Sequence, residues 1–338
     1  MKNWQKIKNE PELLNNFFKR EKIINALRQF FQSKNFHEVE TPLLVPNPGT
    51  EPYLEVFATQ LQLQNEKPKT AFLVTSPELQ MKKLLAAGLE NIFQITKSFR
   101  NGEGRSPTHN SEFTILEYYR ANATYFDLMT DLDELLPYLF GGEKLTYQGK
   151  NYDLSQGCLR ISVKDAFAKY AHITEKELLN RDLLCARAAE KGYQIDEHTT
   201  WEEAYNQIFL NEIEPNLGQD RPTIIYDYPR AQAALAKLCD DKNYAQRLEV
   251  YLAGLELGNG FGELTDAAEQ ENRCLVDLRE RERLGKTAYD YDHDFIEALA
   301  NIDFPAAGIA IGVDRLIMLA ADVADITQIT FFPTTEIF

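Results

Sequence analysis

The hydrophobic positions of the chain switch repeatedly between helical and strand periodicity. Apolar residues between residues 20 and 35 recur at the spacing of one helix face and predict an amphipathic helix. The run LQMKKLLAAGL predicts another helix, which ends at Gly88. The segments NIFQITKSFR and EFTILEYYR predict two strands joined by the polar loop NGEGRSPTHNS. We therefore expect a hairpin whose loop is free to fold over a ligand.

The pattern changes at about residue 125, where helical periods dominate as far as about residue 216. Strand patterns return in TIIYDYP and EVYLAGLELGNGFGELTD, and a helix rich in Glu and Arg follows. Near the end of the chain, the small-residue strand AAGIAIG turns into a helix at Gly312. These elements predict an α+β fold: one domain over residues 1–338, with an antiparallel sheet flanked by helices and a mostly helical insertion at about 125–216.

Composition and charge narrow the class of protein. With 338 residues, 44% of them hydrophobic, the chain can bury a core without disulfides, and its four cysteines are too scattered to indicate a zinc site. The N-terminus lacks an apolar signal segment and no run is long enough to span a membrane, so we expect a cytoplasmic protein with no membrane partner. The net charge of −16 makes tRNA an unfavourable partner.

The predicted hairpin carries the first group of candidate residues. Arg100 lies where the strand meets the loop, and a guanidinium there can bind a phosphate through two hydrogen bonds. His109 and Asn110 lie on the far side of the loop, and Glu117 and Tyr119 follow on alternating strand positions. A solvated hairpin with ordinary surface charges explains the same pattern.

A second group lies in the glycine-rich segment from residue 255 to 266. Glu256 and Glu263 are seven residues apart, so a regular strand would place them on opposite faces. A bulge or bend at the glycines would bring both to one face, where two carboxylates favour a divalent cation or an amine. The alternative is a weakened hairpin with two exposed acids. The segment opens no helix, which excludes a Rossmann dinucleotide site.

Two further segments carry weaker signals. In GIAIGVDRL, small residues at a strand end allow a ligand to approach the backbone, and Arg315 begins a helix. In TSPE, Glu78 lies at a strand-to-helix junction. A surface ion pair and ordinary helix capping are the simpler explanations of these two signals.

Together and in this order, these segments resemble the catalytic domain of class II aminoacyl-tRNA synthetases, in the lysyl branch. The matching segments are TSPELQMKKLL, FRN…THNSEFTILEYY, GLELGNGFGELTDAAEQ and GIAIGVDRLIML, and the resemblance covers about residues 15–335. It implies a homodimer, because the segment from Glu38 to Pro42 resembles the interface motif. The chain has no room before Arg20 for an N-terminal OB-fold anticodon domain, and Ala310 stands where lysyl-tRNA synthetases have glycine. Both features are similar to the elongation factor P–(R)-β-lysine ligase family.

The resemblance implies roles for individual residues. Arg100 and Arg315 would be the catalytic residues, on the α- and γ-phosphates of ATP, and Glu256 and Glu263 would hold Mg²⁺. The nucleotide-binding set implied by the family is Arg100, Asn101, Gly102, Glu103, Asn110, Glu256, Leu257, Gly312 and Arg315. The substrate-binding set is Ser76, Pro77, Glu78, Tyr119, Asn259, Glu263 and Ala310, with Tyr119 and Glu263 on the side-chain ammonium.

The loop of the hairpin departs from the family pattern. Gly102 stands where the family has glutamate, and the loop is one residue longer, so Glu103 would supply the missing carboxylate. Ser111 replaces a proline, and Gly262 and Ala268 stand where the ligases have His and Arg. We expect these changes to loosen the loop that covers the nucleotide or to alter recognition of the protein partner.

The implied reaction is ATP-dependent activation of lysine or (R)-β-lysine as an aminoacyl-adenylate, followed by transfer to a lysine of elongation factor P. A minimal lysyl-tRNA synthetase-like enzyme, with tRNA or another acceptor, is the main alternative. An asparagine synthetase of the ammonia-dependent type shares the fold, but Glu78, Tyr119 and Glu263 favour a cationic substrate. An inactive paralogue is the alternative outside enzymes, and retention of both arginines argues against it.

Overall fold

The computed structural model describes residues 2–102 and 106–338, which form two compact units. The first unit contains residues up to 123, residues 147–149 and residues 264–338, and the second contains residues 124–146 and 150–263. Within the described part of the chain, no helix is both long and apolar enough to cross a membrane.

Twelve α-helices and thirteen strands are found in the described residues. The helices are α1 (Asn3–Lys6), α2 (Pro11–Ser33), α3 (Glu78–Ala86), α4 (Tyr125–Phe140), α5 (Val163–Ala166), α6 (Glu175–Leu178), α7 (Arg181–Glu190), α8 (Trp201–Ile208), α9 (Ala267–Arg283), α10 (His293–Leu299), α11 (Val313–Ala321) and α12 (Thr334–Ile337). The strands are β1 (His37–Glu38), β2 (Leu44–Val45), β3 (Ala58–Leu61), β4 (Lys69–Leu73), β5 (Asn91–Phe99), β6 (Glu112–Ala121), β7 (Lys144–Tyr147), β8 (Lys150–Asp153), β9 (Leu159–Ser162), β10 (Thr223–Pro229), β11 (Tyr244–Leu252), β12 (Leu255–Gly262) and β13 (Ala306–Gly312).

The first unit is built on strands β1, β5, β6 and β13. β6 pairs antiparallel with β5 on one side and with β13 on the other, and β1 pairs parallel with β5. One face of these strands packs on α2, where Phe31 contacts Phe93 and Tyr118 at ring-centroid distances of 5.2 and 4.6 Å. A separate antiparallel sheet in the order β2-β4-β3 carries the segment that leads to α3. The other face of β5, β6 and β13 is therefore left for polar side chains.

The second unit contains the antiparallel strands β12, β11 and β10, with β9 parallel to β10. Its core is formed by apolar side chains of α5, α7, α8 and the strands, including the stacked rings of Phe167, Tyr205 and Phe209. The helices α5 to α8 of this unit are short, and α5 and α8 continue into π-helical turns at Phe167–Ala171 and Phe209–Ile213.

Two sequence-based expectations about the fold need correction. The strands are mixed rather than purely antiparallel, because β1 and β9 each reach their partner by a long connection, which is what a parallel pair requires. The segment 125–216 contains helices α4 to α8 but also β7, β8 and β9, so a mostly helical insertion is not confirmed. β7 and β8 are joined at Gln148 and Gly149, whose φ angles of 49° and 76° suit a tight hairpin turn.

Candidate functional site

The face of β5, β6 and β13 that lies opposite α2 carries a row of buried polar residues. Glu117 on β6 lies directly between Gln94 on β5 and Ala310 on β13, and Tyr119 is paired with Gly308. Residues directly opposite each other on paired strands point to the same face. Because Gly308 and Ala310 have little or no side chain, they leave space beside the larger Glu117 and Tyr119.

Glu117 and Tyr119 form a hydrogen-bonded cluster with the start of α3, which we call the acidic cluster (Ser76, Glu78, Lys82, Glu117, Tyr119). Ser76 Oγ donates to Glu117 Oε1 at 2.5 Å, and Tyr119 Oη donates to Glu117 Oε2 at 3.1 Å. Lys82 Nζ donates to Glu78 Oε1 at 2.6 Å, one helical turn along α3. The side chain of Lys82 is only 2% exposed and that of Glu78 13%, so this ion pair is largely withdrawn from water.

The pKa of Glu117 is the most informative electrostatic feature of the cluster. Burial raises the pKa of this carboxyl to about 8, and the negative charge of Glu78 adds to the increase. The hydrogen bonds from Ser76 and Tyr119 and the charge of Lys82 act in the opposite direction. A buried carboxyl under these conditions is a strong site for a cationic group, because an ammonium would replace the proton.

Sequence reasoning gave Glu117 no role, although it noted the residue two positions before Tyr119. That spacing was a usable signal, since it places both side chains on one face of a strand. Ser76 and Glu78 were predicted correctly to lie at a strand-to-helix junction, and Pro77 is the buried residue before α3. Ser76 Oγ also accepts from the Glu78 amide at 3.0 Å, but the N-cap residue of α3 is Pro77, which makes no side-chain cap bond.

The two predicted catalytic arginines lie in the first unit, at the hairpin and at α11. Arg100 follows β5, its amide donates to Ser111 O at 2.9 Å, and its guanidinium lies 5.1 Å from the ring centroid of Phe113. Arg315 Nη2 lies 2.9 Å from Nε2 of His109, which belongs to the described end of the hairpin loop. The loop and α11 are thus in direct contact through these two side chains.

The start of α11 is fixed by an ion pair to α2. Arg20 donates to Asp314 Oδ1 at 2.6 Å and to Thr114 Oγ1 at 2.5 Å, and the Thr114 amide donates to Asp314 Oδ2 at 2.7 Å. Gly312, the residue before the helix, is paired with Ile115 of β6. These bonds hold the residue next to Arg315 against the hairpin, so the position of Arg315 does not depend on its own contacts alone.

The remaining predicted residues of the loop differ in whether their side chains are exposed or already bonded within the protein. Asn101 is exposed, its amide donates to Glu55 O at 2.9 Å, and its Oδ1 accepts from the Gly102 amide at 2.9 Å. Gly102 has a φ of 69°, a conformation that favours glycine over the glutamate of the family. Asn110 uses its side chain within the protein, bonded to Glu112 O and to the Thr334 amide. Glu103 lies outside the described residues.

The second unit carries the predicted residues of β12. The register of β11 with β12 shifts between Glu256 and Gly258, a bulge beside the glycines of the kind that a shared face for the two acids would require. With Leu257 as the extra residue, Glu256 shares a face with Asn259, which is paired with Glu249. Glu263 follows the end of β12, where it forms an isolated bridge with Ala236, and it is buried, as is Leu257.

Asn259 is paired with Glu249 of β11, which is hydrogen-bonded to Arg247 and Tyr251 on the same strand. Arg247 donates to Glu249 Oε1 at 2.8 Å and Tyr251 donates to Glu249 Oε2 at 2.7 Å. The side-chain oxygen of Asn259 is buried without a hydrogen-bond partner among the described residues. It is therefore an acceptor with an unmet requirement, as expected of a residue that lines a ligand pocket.

Mg²⁺ requires oxygen ligands, which carboxylates of this chain could offer. Among the described residues, no group of three or more His, Cys, Asp or Glu side chains is arranged to hold a metal ion. Mg²⁺ is commonly held by one or two carboxylates together with phosphates and water. Glu256 lies in β12 and Glu263 directly follows it, seven positions further along extended chain, so each could offer one carboxylate to a phosphate-bound Mg²⁺ but the two do not form a joint site.

Comparisons with known proteins agree with this geometry. The chain matches the family described as tRNA synthetases class II (D, K and N) over residues 2–336. It is 38% identical over 321 residues to the "Elongation factor P--(R)-beta-lysine ligase" of Histophilus somni (strain 2336), covering 94% of this chain and 95% of that protein. The chain belongs to the class II tRNA synthetase family, in the branch of these ligases. The proteins of the same name from Haemophilus ducreyi (37% over 332 residues, 98% and 96% covered) and Mannheimia succiniciproducens (38% over 317 residues, 93% and 94% covered) are similarly related.

Membership of this family confirms the recognition made from the four sequence segments. The synthetase family accounts for an α+β fold with helices around the strands. The roles of individual side chains are not given by this membership and are argued below.

Proposed function

We propose that the protein uses ATP to activate lysine or (R)-β-lysine as an aminoacyl-adenylate and transfers the aminoacyl group to a lysine of elongation factor P. The names of the relatives support a ligase acting on elongation factor P. The observation that carries the proposal on substrate class is the acidic cluster, because a buried Glu117 bonded to Ser76 and Tyr119 favours a cationic ligand over a neutral one.

The amino acid would be bound through its charged groups. Glu117 and Tyr119 offer acceptors to one ammonium, and Glu78 offers a carboxylate to another. In the second unit, Asn259 and Glu263 are the proposed contacts to the substrate. Within the protein, the Glu117 and Glu78 carboxylates already accept hydrogen bonds from Ser76, Tyr119 and Lys82. A neutral amino acid would add no positive charge beside these buried carboxylates, so it would lack the attraction that an ammonium gains. The pocket would therefore discriminate strongly against neutral side chains.

Arg100 and Arg315 are the proposed ligands of the triphosphate. Arg100 would neutralise charge on the α-phosphate while a carboxylate oxygen of the amino acid attacks the phosphorus and pyrophosphate leaves. Arg315, held by α11, would bind the γ-phosphate. Glu256 and Glu263 are the proposed Mg²⁺ ligands, and a bound Mg²⁺ would supply charge neutralisation to the phosphates. No covalent enzyme intermediate is required.

The second step needs only an acceptor amine. The ε-amino nitrogen of the acceptor lysine would attack the acyl carbon of the adenylate, an amide bond would form, and AMP would leave. The amine must first lose a proton, and the leaving AMP phosphate is one acceptor for it. We further propose that the protein acts in the cytoplasm and as a homodimer, through the segment from Glu38 to Pro42 that resembles the interface motif.

The exchange of pyrophosphate into ATP tests the activation step. Lysine or (R)-β-lysine should stimulate exchange, and neutral amino acids should not. Arg100→Ala should abolish the exchange, because it removes the guanidinium from the reacting phosphate. If neither lysine nor (R)-β-lysine stimulates exchange at high protein and Mg²⁺ concentrations, the proposed activity is wrong.

The intact mass of each candidate acceptor, measured after the reaction, shows which of them receives the aminoacyl group. Elongation factor P and tRNA are incubated separately with the protein, ATP and the active amino acid, and each is then measured intact. A mass gain on elongation factor P, abolished when its modified lysine is replaced by arginine, supports the proposal. A gain on tRNA alone would show instead that the protein is a minimal lysyl-tRNA synthetase-like enzyme.

A further inference from the structure

The loop between β2 and β3 is held by an unusual number of bonds to the C-terminal part of the first unit. Arg281 of α9, which is 1% exposed, donates to Glu51 O at 2.8 Å and to Leu54 O at 2.7 Å. Tyr289 Oη donates to Gly49 O at 2.8 Å, and its ring centroid lies 4.5 Å from the Arg281 guanidinium. The loop is therefore ordered before any ligand binds.

This anchored loop presents the side chain of Glu51. Its carboxylate lies flat against Gly49, where a Cβ atom would overlap with Oε2. Oε2 is buried and has no hydrogen-bond partner in the part of the chain that the structure describes. Leaving a buried carboxylate oxygen without a donor is costly, so a loop built to hold it there points to a ligand that supplies the donor.

The charges that act on Glu51 indicate where the carboxylate lies. Burial raises its pKa, and the charge of Glu78 raises it further, whereas the Glu51 amide, Arg100 and Arg281 lower it. Glu78 and Arg100 are the two residues assigned above to the substrate amine and to the α-phosphate. Glu51 is thus close enough to Glu78 and Arg100 to interact with their charges, and all three residues belong to the first unit.

A donor with positive charge would compensate the buried Glu51 carboxylate best. Arg281 is already bonded to three carbonyl oxygens, including Thr287 O at 3.1 Å, and Lys82 is bonded to Glu78. Phosphate groups would be repelled by the carboxylate. A primary ammonium supplies both the charge and the N–H donors.

We propose that Glu51 is a further substrate-binding residue. It contacts the α-amino group of lysine, or the β-amino group of (R)-β-lysine, and shares this group with Glu78. The inference rests on the proposed function, and it names the residue that sets affinity for that amino group. It assigns the loop anchored by Arg281 a role in substrate selection.

A pair of ligands that differ only in this amino group tests the contact. Lysine or (R)-β-lysine carries the group, and 6-aminohexanoate lacks it but keeps the carboxylate and the terminal ammonium. In Glu51→Gln, the KM of the active amino acid should rise about 10- to 100-fold, the range for losing one charge-assisted bond. The inhibition constant of 6-aminohexanoate and the KM of ATP should stay within about twofold of wild type.

Two variants control for indirect effects. Gly49→Ala should reproduce the selective loss, because a methyl group there displaces the Glu51 carboxylate. Glu55→Gln is the matched control in the same loop, since the Glu55 carboxylate already accepts from the Val56 amide at 3.0 Å. It should leave the ratio between the two ligands unchanged.

Other outcomes overturn the inference. A parallel rise in the constants of both ligands would mean that Glu51 only supports the fold, and no change would mean that it is not a contact. A shift in the Mg²⁺ or ATP requirement would assign it to the nucleotide instead. Calorimetric binding of the two ligands repeats the comparison without the exchange reaction. Absent exchange with intact selective binding would then refute the proposed activation and leave the role of Glu51 standing.

Discussion

At the scale of single residues, the buried carboxyl of Glu117 links the site to pH. Burial raises its pKa from 4.5 to about 8, so between these values the folded chain holds a proton that the unfolded chain has lost. The free energy of unfolding contributed by this group therefore falls as pH rises through that range and is largest below pH 4.5.

Glu117→Gln should remove this pH dependence, because the amide does not titrate. Urea unfolding of both proteins at several pH values measures it: the stability of the variant relative to wild type should improve steadily between about pH 5 and 8. Glu112→Gln, at an exposed position of the same strand, is the control and should show no such trend. A stability difference that is the same at every pH would contradict the assignment.

How far these residues were predictable depends on whether their partners are close in sequence. Arg100, Glu78 and Tyr119 were found because each belongs to a short segment with a recognisable pattern. The bond from Ser76 to Glu117 joins positions 41 residues apart, and no local pattern contains it. Glu51 gave no signal at all, since its burial results from Arg281 and Tyr289, which lie more than 200 residues further along the chain.

At the scale of elements, the contact of α2 with α11 depends on Arg20. Its guanidinium bonds to Asp314 and Thr114, and the side chains of Arg20 and Asp314 are 18% and 9% exposed. Removing one partner of a mostly buried ion pair leaves the other charge without compensation. Arg20→Met should therefore lower the free energy of unfolding by about 2 kcal/mol or more, as measured by urea unfolding.

The same helix offers a matched control. Arg28 pairs with Glu38 at 2.9 Å, but these side chains are 39% and 32% exposed, so the pair is screened by water. Arg28→Met should cost less than about 1 kcal/mol. Equal losses from the two substitutions would mean that Arg20 contributes no more than a surface contact. Arg20→Lys should restore only part of the stability, because one ammonium cannot reproduce both bonds.

The positions of helices and strands were predicted well, because they follow from local hydrophobic periodicity. The pairing of strands was predicted poorly, because it depends on residues distant in sequence. The segments expected as β5, β6, α9 and β13 form as expected. β12 has the kind of bulge that a shared face for Glu256 and Glu263 would require, although their odd spacing alone left open whether it would form. The helix expected over residues 20–35 begins earlier, at Pro11, where proline suits the first turn. The parallel pairing of β1 and β9 was not predictable, because nothing within a strand states which neighbour it will meet.

At the scale of the whole molecule, charge is the property that bears on the acceptor. The sequence contains 52 acidic and 36 basic residues, a net charge of −16. Binding of a nucleic acid gains most of its free energy from Lys and Arg side chains that displace counterions from phosphates. An acidic surface opposes this gain, whereas a protein acceptor that presents one lysine needs only a local fit.

We therefore expect the protein to bind tRNA more weakly than about 0.1 mM at about 150 mM salt, beyond the weak end of ordinary non-specific binding. Filter binding with labelled tRNA at low and at physiological salt measures this, with a lysyl-tRNA synthetase that carries an anticodon-binding domain as the positive control. Micromolar binding that weakens steeply with salt would reveal a local basic surface and would favour tRNA as the acceptor. Weak binding combined with a mass gain on elongation factor P would instead mean that selection of the acceptor depends on protein contacts around a single lysine.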